Sequence, residues 1–475
     1  MKKLLLFLFL FLALALFGTA QSRRVAPGSS PSPTDPPTLA ELSVKEMFDE
    51  ANGYIKAKAA EFDLKRIKFS DALFTKTKLE QRQMAAKYAA GAGNRKGLSS
   101  EDHYYLGFLH WIAENLDGTV ENLTQFFSDT EAPEDKAQTA RSIVVVVLAK
   151  QAKLAEAEEL LAKYLAKDTT KLTEITRMEA EVAKAYQSQK LFAKMAPHAV
   201  ASYEASKALL NDQTSRARGL DEILDSGMLV FESYRDGENP QKAEAALDDM
   251  RETAASTGST SFYYYAVDRK IKYLIDTGRK AEAMEYYSLS IARAARDFSD
   301  KTAESEIKSR LKKREKHYNL LGLPAPELTN YDQWFPGKPR TFAEMKGKVI
   351  LLDFWAIWCG PCFEAFPSLI EWDQDFKKQG LEIIGLTRYY GEVNGFSADE
   401  PHEAEFLKGF RLRERLPYDF VVSKGQGIQN MYGATLLPTA VLIDRKGIVR
   451  YVEAGTSPTR LGELREMILK LLAEK

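Results

Sequence analysis

The sequence predicts a multi-domain protein: an all-α, helical-repeat-like N-terminal region followed by an α/β C-terminal domain. Three observations carry this. The chain has 475 residues, too many for a single core. From Leu39 to Leu320 strong helix formers dominate, interrupted by short turn-like stretches. From Leu321 onward, short apolar runs alternate with helical segments and close with a hairpin and a last helix. That alternation is the pattern of a three-layer α/β domain. The expected division is 1–20, 21–38, 39–320 and 321–475.

Residues 1–20 have the pattern of an export signal. Lys2 and Lys3 precede an apolar stretch, Leu4 to Phe17, and Gly18-Thr-Ala20 supplies small residues for cleavage. The apolar stretch is short for a bilayer span; the alternative is an uncleaved anchor that tethers the protein to the membrane. Setting Lys2 and Lys3 aside leaves 64 basic against 67 acidic residues, so nucleic acid and anionic membrane surfaces are not expected as partners. Residues 21–38 hold Pro27, Gly28, Pro31, Pro33, Pro36 and Pro37 among serines, the composition of an extended linker.

Within 39–320, breaks fall at Gly91-Ala-Gly93, Asp117-Gly118, Ala132-Pro133, Asp236 to Pro240, Ser256 to Ser259 and Thr277-Gly278. Ser99-Ser-Glu-Asp102 has the form of a helix start. The β-branched run Ile143 to Val147 lies between helical flanks and is expected as buried helix. Leu154-Ala-Glu-Ala157, Lys242-Ala-Glu-Ala245 and Lys280-Ala-Glu-Ala283 echo one another, the last two 38 residues apart. Asp276 to Tyr287 resembles the second half of a tetratricopeptide unit, which implies a degenerate α-solenoid and a surface for partner binding. A packed helical domain without a binding task is the alternative. Phe262 to Tyr265, Tyr286 and Tyr287 are expected as packing residues. His103, His110 and His198 have no metal-ligand spacing. The basic run Arg310 to Lys316 suits a helix C-terminus.

In the C-terminal domain the order read is a short hairpin in Glu327 to Thr341, strand Val349–Phe354 and helix Pro361–Gln379. There follow strand Glu382–Thr387, helix Glu403–Glu414, strand Tyr418–Val422 and a short helix Gln426–Met431. Strands Thr439–Asp444 and Ile448–Glu453 flank a turn at Arg445 to Gly447, and helix Thr459–Ala473 closes the domain. Arg388 to Pro401 is a longer loop than this order needs. Its Tyr389, Tyr390, Gly391 and Gly395 make it a candidate substrate-contacting loop, against a plain surface loop.

The chemistry is concentrated in Cys359-Gly-Pro-Cys362. A buried strand leads into a helix whose N-terminus carries Cys359, where the helix dipole favours a thiolate. Cys362 lies one turn on, within reach of a mixed disulfide on Cys359. These are the only two cysteines, too few for a zinc site of four Cys or His ligands, so no metal is expected. A structural disulfide over so short a loop constrains the unfolded chain little. The pair is therefore expected to be a redox-active dithiol that needs no further cofactor. Asp353 ends a wholly apolar strand; burial there raises a carboxyl pKa and equips it to accept a proton from Cys362. A solvent-facing strand-end carboxylate is the alternative.

Asp353-Phe-Trp-Ala-Ile-Trp-Cys-Gly-Pro-Cys362 resembles the thioredoxin active-site segment. Leu323 to Leu328, Met345 to Lys348, Pro367, Leu437-Pro-Thr439 and Val441 to Gly447 make the last 155 residues similar to the TlpA/ResA-type thiol–disulfide oxidoreductases. The resemblance implies a thioredoxin-like fold and a protein disulfide reductase with Cys359 as nucleophile, Cys362 as resolving thiol and Asp353 as proton acceptor. It implies client contacts at Trp358, Gly360, Pro361, Leu437 and Pro438. It also implies a cis Leu437–Pro438 bond, where the base rate alone favours trans. Implied partners are disulfide-containing envelope proteins and a membrane thiol shuttle as electron donor, in a periplasmic or otherwise extracytoplasmic setting. One departure stands out: the family's glutamate three residues after the second cysteine is Ala365 here, with Glu364 one place earlier and about 100° round the helix.

The alternatives from other classes are an envelope scaffold whose helical region binds partners while the C-terminal domain senses redox state, and a disulfide oxidase or isomerase. A peroxide-reducing enzyme is a third option, against which stand the tryptophan-flanked pair and the lack in this sequence of a lone peroxidatic cysteine in a threonine–proline setting.

Overall fold

The computed structural model describes residues 41–68, 70–211 and 214–474; the expected signal (1–20) and linker (21–38) lie outside the described residues. The chain forms two compact units that divide between Ala246 and Leu247.

The first unit is all helix: α1 (Val44–Leu64), α2 (Asp71–Gly93), α3 (Ser100–Ile112), α4 (Leu116–Phe127), α5 (Glu134–Lys150), α6 (Leu154–Leu165), α7 (Leu172–Ser188), α8 (Phe192–Leu209), α9 (Arg216–Asp236) and the start of α10 (Pro240–Thr257). Reciprocal capping boxes open two of them, Ser43 with Glu46 and Ser99 with Asp102. Ile143 to Val147 is buried helix within α5. α7 packs on α8, and α8 on α9.

One turn recurs along the helices, through α11 (Thr260–Asp276) and α12 (Lys280–Asp297) of the second unit. Glu114, Ala152, Lys190, Glu238, Gly258 and Gly278 all have φ between 57° and 80°. Each stands two residues before the next helix, and the amide that follows it donates to the carbonyl five residues back. This closure satisfies the carbonyls left over at a helix end. It also sets the phase of the following helix, whose fourth residue is fully buried in every case: Thr119, Ala157, Met195, Ala243, Tyr263 and Ala283. The echoes Leu154–Ala157 and Lys280–Ala283 share this phase; Lys242–Ala245 is two residues out of step, since Ala243 takes the buried position. Gly118 lies inside α4 rather than at a break. A Cβ there would lie 2.7 Å from the His110 ring, so close packing selects this glycine.

The second unit continues with α13 (Lys301–Leu320) and then the α/β region: β1 (Tyr331–Phe335), β2 (Val349–Phe354), α14 (Gly360–Phe376), β3 (Leu381–Arg388), β4 (Glu392–Val393), β5 (Phe396–Ser397), α15 (Glu400–Arg413), β6 (Asp419–Ser423), α16 (Gly427–Tyr432), β7 (Thr439–Ile443), β8 (Val449–Ala454) and α17 (Pro458–Ala473). Six strands form one sheet in the order β1-β6-β3-β2-β7-β8. β2 runs parallel to β3 and β3 to β6; the other pairs are antiparallel. The expected hairpin in Glu327 to Thr341 is instead a single strand, β1, on the sheet edge beside β6. Pro336 and Pro339 follow it and offer no N–H for a second strand.

β2 is buried along its whole length, so both sheet faces need cover. On one face Val349 and Leu351 share a core with Leu369 and Trp372 of α14, Leu407 of α15, and Leu464 and Ile468 of α17. On the other, Phe354 meets Tyr432 of the six-residue α16, and α13 packs on α16. A short helix covers little area; α13 supplies the rest. The segment after α13 joins the sheet as well: Gly322 N donates to Val449 O, and Val449 N to Leu323 O. The helices from α11 to α13 thus fold with the α/β region.

Candidate active site

Cys359 is the N-cap of α14, and Cys362 sits in its first turn. Pro361 fits between them because a first-turn residue needs no amide donor. Cys362 N donates to Cys359 O at 3.0 Å, which closes the turn. The two sulfurs are joined in a disulfide with Cα atoms 5.3 Å apart, and the cysteines are 3% and 1% exposed. Gly360 faces open space.

The two tryptophans beside the pair have different environments. Trp355 is fully buried and stacks on Phe410, ring centres 5.2 Å apart. Gly385 of β3 makes room for it: a Cβ there would lie 3.1 Å from Trp355 Nε1. Trp358 is 61% exposed and meets Tyr390 edge-on at 5.4 Å. The Arg388 guanidinium lies over the Tyr390 ring, 4.0 Å from its centre.

Tyr390 opens the long loop, which is held by a residue that no local sequence signal marks. The buried carboxylate of Glu403 accepts from Tyr390 N at 2.7 Å and Gly391 N at 3.0 Å. The loop then forms the small hairpin β4–β5 about Asn394-Gly395, both with positive φ. Asn-Gly between two short runs is the strongest short-range hairpin signal, so this element was there to be read.

Leu437–Pro438 is a cis peptide. β7 starts at Thr439, which pairs with Phe354 at the end of β2, so Pro438 stands at the sheet end from which the chain runs to Cys359. Gly455 N donates to Pro438 O at 2.6 Å, and Thr439 Oγ1 to Leu436 O at 2.5 Å. Leu436 is largely exposed and Leu437 half-buried.

Asp353 pairs with Gly385 and Ala440 in mid-sheet and is 4% exposed. Burial pushes its carboxyl up to about 7. Asp353 and Pro438 line one cavity with Ala365 of α14. Glu364 faces solvent, so the position that carries a glutamate in the resembled family presents only a methyl group to this cavity. The structure therefore brings Asp353, Ala365 and Pro438 together and places Trp358 and Gly360 on the surface beside the cysteines. Among the described residues no group of three Cys, His, Asp or Glu side chains is arranged to hold a metal ion, and no helix is long and apolar enough to cross a membrane.

Arg314 and His317 of α13 also meet this region. Arg314 donates to Val452 O at 3.2 Å and Glu453 at 2.9 Å, and His317 contacts Gly433 O. In the sequence Arg314 is one cation of a basic run; only burial, at 8% exposure, distinguishes it.

A family model described as Redoxin matches residues 321–468. The thiol-disulfide oxidoreductase ResA of Bacillus thuringiensis (strain Al Hakam) is 35% identical over 129 residues, 27% of this chain, and the chain spans only 66% of that relative's length. ResA of Bacillus thuringiensis subsp. konkukian (strain 97-27) is 31% identical over 144 residues, 30% of this chain and 75% of the relative. Among solved structures, a thiol-disulfide isomerase from Corynebacterium glutamicum is 23% identical with a TM-score of 0.27, over 32% of this chain and 98% of that one.

Proposed function

The chain belongs to the ResA/TlpA-like thiol–disulfide oxidoreductases of the thioredoxin superfamily, and from that membership we propose that it reduces disulfides of proteins outside the cytoplasm. The observation that carries this reading is the Cys359–Cys362 pair at the start of α14, together with a buried Asp353 on the strand that leads to it, whose carboxyl is pushed up to about 7. The pair itself is the redox group, with no cofactor or metal. In the reduced protein the Cys359 thiolate attacks a client disulfide and forms a mixed disulfide. Asp353 takes the Cys362 proton, Cys362 attacks Cys359, and the client leaves with both sulfurs reduced. A membrane thiol shuttle then returns two electrons to the pair. Trp358, Gly360, Pro361, Leu437 and Pro438 meet the client, with the Leu437 backbone available for an added strand. The export pattern of residues 1–20 supports a periplasmic or membrane-tethered location.

The test is a Cys362→Ser variant together with the equilibrium reduction potential. The variant is expected to trap clients covalently on Cys359, and the wild-type pair to equilibrate near roughly −270 mV, where thioredoxin lies. Non-covalent binding alone would point to a scaffold, and a potential near about −120 mV to a disulfide-forming enzyme.

A further inference from the structure

Asp353 Oδ2 and Thr456 Oγ1 are both buried, and neither has a hydrogen-bond partner among the described residues. Both residues line one cavity of about 30 Å³, walled by Ala365, Leu369, Pro438 and Leu464. A buried oxygen without a partner is costly. A water needs roughly 10–15 Å³ of such space and two or more polar partners, and this cavity offers both. We propose that one ordered water occupies it, bridges Asp353 Oδ2 and Thr456 Oγ1, and makes Thr456 a positioning residue for the proton that Asp353 carries.

Ala365 is one wall of the cavity, so a longer side chain at that position of α14 is expected to take up its space. The Arg460 guanidinium lies over its far side, 3.0 Å from where a Cβ on Gly455 would stand. In the resolving step the Cys362 thiol passes its proton to the Asp353 carboxylate. The Cys362 sulfur bonds to the Cys359 sulfur, the bond from Cys359 to the client sulfur breaks, and the client sulfur leaves as a thiolate with the electron pair. Asp353 is left one proton richer and returns that proton to Cys362 when the pair is next reduced. The water held by Thr456 gives the carboxyl a hydrogen-bond partner in both protonation states. This consequence for turnover rests on the proposed function; the water site does not.

The titratable and charged groups that line the cavity with Asp353 are Tyr451 and Glu453 on β8 and Arg460 on α17, and Tyr418, ahead of β6, also feels the Asp353 charge. In the oxidised protein neither cysteine titrates, and burial holds both tyrosines far above neutral pH.

The experiment is pH-difference infrared spectroscopy of the oxidised full-length protein, with the Asp353 carboxyl band identified by its loss in Asp353→Asn. Thr456→Val keeps the side-chain shape and removes the hydroxyl. The Asp353 midpoint is expected to rise by about one unit, since the carboxylate loses the water's donated hydrogen bond. Thr456→Ser keeps the hydroxyl and is expected to titrate as wild type. Ala365→Leu fills the cavity with Thr456 intact and is expected to give the same rise. An unchanged midpoint in Thr456→Val or in Ala365→Leu overturns the proposal, and so does an equal rise in Thr456→Ser, which would mark packing. No client or turnover enters the readout, so its failure is separate from failure of the reductase reading.

Discussion

His317 Nε2 lies 2.9 Å from the carbonyl oxygen of Gly433, and His317 Nδ1 lies 2.8 Å from the Arg314 guanidinium. Arginine can only donate and a carbonyl can only accept, so His317 is the neutral tautomer with its proton on Nε2. Gly433 has φ +67°, and a Cβ on it would lie 2.8 Å from the His317 ring. The last helix before the α/β region therefore grips the chain five residues ahead of the cis-proline.

This contact makes stability depend on pH. Burial, with the Arg314 charge beside it, lowers His317 from 6.5 to about 4. The unfolded chain then binds the proton more readily than the folded one, so stability falls as pH drops. His317 contributes fully above about 6.5, and the contribution is lost progressively down to about 4. The loss is on the order of 3 kcal/mol. His317→Gln keeps a donor and an acceptor but does not titrate. Urea unfolding followed by tryptophan fluorescence, between pH 7 and pH 4.5, is expected to show a shallower loss for this variant. An unchanged slope would place the acid sensitivity elsewhere.

Asp353 has the opposite sign. Its folded pKa, about 7, stands above the ordinary aspartate value of 3.8, so the folded protein binds the proton more tightly. The stability this gives is complete below about 4 and is lost as pH rises through 7. Above that, a buried carboxylate that no protein group pairs with destabilises the fold. Asp353→Asn removes the charge and is expected to raise stability at pH 8 by on the order of 3–4 kcal/mol. The same change is expected to slow resolution of the mixed disulfide by on the order of 10²-fold and to abolish the inflection near pH 7 in that rate. Stopped-flow release of client thiol, beside denaturant unfolding, reads both. A variant that is slower yet no more stable at pH 8 would mean that Asp353 has a partner in the folded protein.

How far the sequence carried depends on whether the determining signal was local. The apolar run Val349 to Leu352 marks β2, and Ser99 with Asp102 marks the start of α3, because strand burial and capping are written in adjacent residues. The turns at Glu114, Ala152 and Lys190 were harder to see. They use the left-handed conformation without glycine, and the carbonyls satisfied at the helix end offset its cost. Gly118 gave the reverse error, a glycine chosen for packing against His110 rather than for a turn. Asp353 and the cysteines were legible as chemistry. Thr456, Glu403, Arg314 and His317 were not, since their importance comes from partners 12 to 139 positions away in the chain.

Glu403 is the clearest of these to test. Its carboxylate is 1% exposed and accepts two backbone amides, from Tyr390 and Gly391, at the point where the long loop leaves β3. Hydrogen bonds to a charged acceptor are worth roughly 1.5–3 kcal/mol each. Glu403→Ala leaves both amides without that acceptor and frees Tyr390 from the fixed place that brings it edge-on to Trp358. The expected loss is about 3–6 kcal/mol, concentrated in the loop rather than spread over the domain. Hydrogen exchange is expected to accelerate at Tyr390 and Gly391 while β2 amides stay protected, and the emission of the exposed Trp358 is expected to change. If the loop positions clients, the variant raises KM for a protein disulfide and leaves the rate with a small disulfide unchanged. Equal effects on both substrates would mean that the loop supports the dithiol itself.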